Sequence, residues 1–222
     1  MKNPLLLAVF ILGLLLFISF YIVSSALYKR RHQQKYSFKQ MFPYEFNYPS
    51  VFKDNTCGNL LFILGSIAIT VFYILNPYSS IYQTVALIIS IVFTMVLICL
   101  ILMPLYYLKT HMVLSVVTMT LSMALPLFNF FLAMTEYRAA VEQAREVLCI
   151  ISMIISGLLA LTMIALILNP KLSFRIYLDK ELDSEGKEVL KRPKIIFLAL
   201  NEWMSIFVFF ISPLAALLIS LI

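Results

Sequence analysis

Six apolar stretches divide this chain, and fourteen of its seventeen Lys and Arg residues lie in alternate connections between them. Few folds accommodate that pattern. A stretch of about 20 apolar residues matches the thickness of a bilayer core. In hydrocarbon, only a helix or a closed barrel satisfies every backbone N–H and C=O. The runs here are continuous and lack the two-residue alternation of barrel strands. They span Pro4–Tyr28, Leu60–Tyr78, Ile81–Leu108, Met112–Met134, Val147–Leu168 and Ile195–Ile222. The expected fold is an all-α integral membrane protein, a single polytopic domain over residues 1–222 built as a six-transmembrane-helix bundle.

The cations set its direction. Lys29, Arg30, Arg31, Lys35, Lys39 and Lys53 follow the first stretch, and Lys109 sits between the third and fourth. Lys171, Arg175, Lys180, Lys187, Lys191, Arg192 and Lys194 follow the fifth. Only Lys2, Arg138 and Arg145 lie on the other side. Cytoplasmic loops carry the excess of Lys and Arg. Loops 29–59, 109–111 and 169–194 are therefore expected inside, with an N-out/C-out topology. The first stretch is too long for a signal-peptide core of about 7–15 residues, and its basic cluster follows instead of preceding it.

Composition narrows the function classes. Charged residues make up 13% of the chain, about half the ordinary share, and hydrophobic ones 62%. The net charge of +6 is confined to loops, so it reads as orientation signal and lipid anchor; no nucleic-acid partner is expected. Cys57, Cys99 and Cys149 are scattered, which suggests neither disulfide nor metal site. No zinc-protease, Walker A or nucleophile-elbow motif occurs, and no Asp lies within a span. The chain is expected not to be an enzyme and to need no cofactor. Low Gly with frequent Ile, Lys and Met points to a bacterial plasma membrane.

Two inner loops have patterns of their own. Tyr36, Phe38, Phe42, Tyr44, Phe46, Tyr48 and Phe52 all occupy even positions, the spacing of one face of an extended chain. Pro43 and Pro49 disfavour a helix. The segment is expected to lie extended at headgroup level, as an aromatic interfacial loop. Phe42, Tyr44, Phe46 and Tyr48 then form a candidate partner surface. In the third inner loop, Phe174, Ile176 and Leu178 alternate with polar residues, and Asp183–Gly186 supplies turn chemistry before Lys187–Leu190, so a small β-hairpin is expected. On the outer side, Thr135–Glu146 reads as a helical extension of the fifth span, supported by the i,i+4 pair Arg138 and Glu142.

Polar residues inside spans are where chemistry concentrates. Glu202 is the one clear ionisable case, seven residues past Ile195. Its nearest candidate partners in depth are His111, Lys109 and Tyr106. If the last helix enters the bilayer only at Trp203, Glu202 instead sits among headgroups and Ile195–Leu200 lies along the surface. His111, Ser115, Thr118, Ser122 and Asn129 share one face of the fourth span, with Leu125 filling the row. Gln83, Ser90 and Thr94 do so on the third, Ser152, Ser156 and Ala160 on the fifth, and Glu202, Ser205, Ser212 and Ala216 on the sixth. Such faces turn inward, either for close helix packing or to line a hydrated path. Asn129 lies roughly 26 Å along its helix from Met112, too far to share one compact site with Glu202. Pro104, Pro126 and Pro213 should bend their helices. The second and fifth spans both end in Ile-Leu-Asn-Pro, a faint sign of an inverted repeat.

The sequence thus predicts a multi-pass membrane protein whose partners are the lipid bilayer and a membrane or cytoplasmic protein. Absent catalytic motifs and the aromatic loop favour a non-catalytic accessory or interaction subunit. The polar face of span four and Glu202 favour a small-solute or ion transporter or channel subunit.

Overall fold

The computed structural model describes residues 4–47, 55–76, 81–102, 108–140, 143–173, 179–182 and 188–220. Among them are seven helices. They are α1 (Pro4–His32), α2 (Thr56–Leu75), α3 (Ile81–Leu102), α4 (Leu108–Ala139), α5 (Gln143–Ile167), α6 (Phe197–Ile211) and α7 (Pro213–Ser220). Pro213 divides α6 from α7, and together they make one span of 24 residues. Proline has no N–H to continue the ladder, so the helix breaks there. Side chains of neighbouring helices bond to the backbone beside it, Asn129 donating to the Ser212 carbonyl at 3.0 Å and Ser152 to the Ala215 carbonyl at 2.8 Å. Pro126 lies inside α4. Six helical segments are long and apolar enough to cross a membrane, which makes the architecture multi-pass.

The last span is the hub. Its most apolar window is 72% buried, against 28% for α1 and for α5. Helix α1 packs along α2, α4 along α5, and α6–α7 runs between these pairs. The α1–α2 crossing is close because Gly13 and Gly65 face each other. A Cβ added at Gly65 would meet the Gly13 carbonyl and a Phe210 ring carbon at 3.3 Å each. Small residues admit such backbone approach, the main source of helix association in lipid. Aromatic rings fill the space beyond: Phe17 stacks on Phe210 at 4.3 Å, and Phe20 and Phe62 lie 5.0 Å apart.

The connections differ from expectation in several ways. The segment Thr135–Glu146 is divided between two helices, α4 running on to Ala139 and α5 starting at Gln143. Arg145 of α5 pairs with Glu136 of α4 at 2.5 Å; Glu142, the expected partner of Arg138, lies outside the described residues. Between α5 and α6, β1 (Asp179–Leu182) and β2 (Glu188–Lys191) pair antiparallel, with Asp179 opposite Lys191 and Leu182 opposite Glu188. The ladder therefore lies beyond Phe174, Ile176 and Leu178; these, and the Asp183–Gly186 stretch expected to turn, fall outside the described residues.

The largest correction concerns the aromatic loop. It is not extended. Helix α1 ends at His32, and Gln33 takes the left-handed conformation with φ of 53°. Residues 37–41 form a turn on the Ser37 carbonyl, and Pro43–Asn47 is a single 3₁₀ helix. Glu45 accepts the Phe42 N–H at 2.9 Å and closes this fold. Every residue from Met41 to Asn47 is buried. The segment caps one end of the bundle, where the first, third and fifth spans end and the second, fourth and sixth begin. Phe42 and Tyr44 are 2% and 7% exposed and Phe46 is fully buried, so these three rings form no partner surface. Tyr48 lies outside the described residues. Folding the rings inward satisfies both the apolar surface and the polar backbone, which an extended strand at the headgroups leaves unpaired.

Candidate functional site

Position on the helix decides which polar side chains meet. Successive residues of an α-helix turn by roughly 100°. His111, Ser115, Thr118 and Ser122 therefore keep one face, and all four are buried against α6 and its neighbours. Lys109 is two residues from His111, on nearly the opposite side, and it is exposed. Glu202 accordingly meets His111 and not Lys109. Tyr106 lies outside the described residues.

Glu202 is completely buried, one turn into α6. Protein surrounds it on every side. The neighbouring Trp203 is fully buried too. Its indole N–H faces the Tyr36 hydroxyl and the Met41 carbonyl, each at 3.0 Å. The backbone N–H of Ile196 donates to the Lys39 carbonyl at 2.7 Å, so the approach to α6 is bound to the cap instead of lying along a surface.

Around Glu202 the geometry is tight and incomplete. His111 Nε2 lies 3.0 Å from Glu202 Oε1, and Ser115 Oγ lies 2.6 Å from the same oxygen. Ser115 Oγ is also 3.0 Å from the His111 carbonyl. A hydroxyl has one proton, so Ser115 donates to only one of these at a time. The shorter contact is typical of a hydroxyl donating to a carboxylate. Glu202 Oε2 and His111 Nδ1 have no partner among the described residues. The imidazole edge rests on the rings of Tyr44 at 4.6 Å and Phe42 at 6.0 Å. Burial, with the charges of Glu45 and then Glu202, raises the Tyr44 phenol far above its ordinary range, so it stays neutral. Burial does the same for Tyr36, whose hydroxyl donates to the Phe42 carbonyl at 2.8 Å.

The polar row continues past this pair. Ser122 and Ser205 share a hydrogen bond of 3.1 Å, and Thr118 Oγ1 is buried without a partner. Buried Leu125 then interrupts it. Beyond that layer, Asn129 donates to the Tyr73 hydroxyl and the Ser212 carbonyl, both at 3.0 Å. Asn129 and Glu202 thus belong to separate clusters. The structure adds residues that the sequence reading did not single out. Asn201 is fully buried with both amide atoms unpartnered, and Tyr73 and the ion pair of Glu45 with Arg192 complete the two ends.

Two chemistries find little material here. Among the described residues, no group of three or more His, Cys, Asp and Glu side chains lies close enough to hold a metal ion. Ser115 and His111 both address the Glu202 carboxylate, which is not the nucleophile-to-base chain of a hydrolase. A groove of about 290 Å³ lies on the other side of α4, lined by Met112, Val113, Val116 and Val117. It is apolar and separate from the row. The chain matches no known family, no curated protein and no solved structure.

Proposed function

We propose that this chain is a non-catalytic membrane transport protein, or a subunit of one, that handles an ion or small polar solute along the buried row of α4. The observation that carries this is Glu202. An ionisable group held inside a membrane bundle is costly and marks an ion or proton pathway by default. Here it is wholly buried, hydrogen-bonded on one oxygen only, and flanked by an imidazole that can take up or release a proton. Polar clusters on both sides of the Leu125 layer fit a path that is shut between two wettable sections. Unpartnered polar atoms cost several kcal/mol each in hydrocarbon, so water or solute reaching them is favoured. The end carrying the cap and the basic loops is read as cytoplasmic, by its cations. The accessory-subunit reading loses the aromatic surface that supported it, because those rings are internal.

The test uses purified protein in vesicles loaded with a pH-reporting dye. Under an imposed potential, proton entry should exceed that of protein-free vesicles, and Glu202→Gln should return it to that baseline. Entry equal to protein-free vesicles, or unchanged by Glu202→Gln, overturns the role of this carboxylate.

A further inference from the structure

We infer that residues 33–47 are a gate over the Glu202 site, bolted shut by Arg192. The inference rests on the transport reading for its purpose, but its geometry stands alone. Phe42 and Tyr44 lie between the basic end of the bundle and His111, and both rings touch the imidazole. They are the last apolar layer before the Glu202 pair from that side. The segment begins at Gln33, whose left-handed backbone is disfavoured for a residue with a Cβ. A left-handed residue directly after a helix sets a sharp change of chain direction, the geometry of a hinge.

The bolt is a single side chain from another loop. Arg192 donates to Glu45 at 2.9 Å and to the Gln40 carbonyl at 3.1 Å. Glu45 is the same residue that caps Phe42. Arg192 follows β2 directly, so its position is tied to the ribbon. Its side chain is 45% exposed while that of Glu45 is 10% exposed, so the bolt is reachable from solvent and its socket is not. Elsewhere the cap is held by longer contacts to carbonyls, Gln40 to Pro193 at 3.2 Å and Arg31 to Phe46 at 3.5 Å. Releasing Arg192 removes the ion pair with Glu45 and leaves a buried carboxylate to be hydrated. Both effects favour lifting the segment away from His111.

The test reads access directly. A reporter Thr118→Cys is placed in a chain whose Cys57, Cys99 and Cys149 are replaced by Ala. A small charged thiol reagent is applied to the basic-end side of vesicles. The parent should react slowly, and adding Arg192→Gln should speed labelling about tenfold, the factor that loss of one charge-assisted bond implies. Phe42→Ala with Tyr44→Ala should act likewise. A second reporter, Ser156→Cys on α5, should stay slow throughout. A parent that already labels fast, or latch variants that label no faster, overturns the gate. Equal acceleration at both reporters also overturns it, since the bundle has then loosened as a whole. If labelling accelerates while proton entry stays at the protein-free level, the gate stands and the transport reading falls. If entry depends on Glu202 but labelling never changes, the reverse holds.

Discussion

The last span shows unlike faces to the two helix pairs that flank it. Towards α1 and α2 it presents Trp203, Phe207 and Phe210, packed against Phe17, Phe20, Tyr21 and Phe62. The single polar atom of those rings, the indole N–H, has two acceptors. Towards α4 it presents Glu202, Ser205 and Ser212, where Glu202 Oε2 and Ser212 Oγ have none. One face is complete and the other is left open. In lipid, apolar burial between helices gains little, so fit between surfaces decides which contacts hold. The aromatic face supplies that fit. The polar face gives up some of it and keeps groups that can exchange protons and hydrogen bonds. Rigidity on one side is what lets the other side stay unsatisfied.

That contrast can be broken by experiment. Trp203→Ala should cost about 3–5 kcal/mol, the usual loss for emptying a packed aromatic site, read as unfolding in detergent. A loss below about 1 kcal/mol would show that the aromatic face is not the anchor. Gly65→Val should cost about 1–3 kcal/mol by forcing α2 off α1, with little change at Glu202. Thr118→Val is the finest probe. It keeps the shape and deletes one unpartnered hydroxyl, so the expected loss is about 1 kcal/mol where water serves that hydroxyl. A gain in stability means that the row is dry, and the two faces then differ in composition only.

Part of this was legible in the sequence. Span number follows from lipid thickness, which demands long apolar runs whatever the tertiary fold. The inward faces follow from helical spacing, and His111 was one of three partners that depth allowed Glu202. Choosing between His111 and Lys109 needed the rotation of α4, which depth does not give. The aromatic segment misled because its even spacing implies an extended chain. Pro43 instead opens a 3₁₀ turn, and Glu45 caps it through a contact three residues back. The role of Arg192 was out of reach, since it depends on residues 147 positions apart in the chain.

The chain has one tryptophan, and it stands where the cap meets the central helix. Its emission therefore follows the dryness of that junction without any added dye. A shift to longer wavelength on releasing Arg192 would time the opening in unmodified protein, and the colour of the resting state would tell how often the door stands ajar.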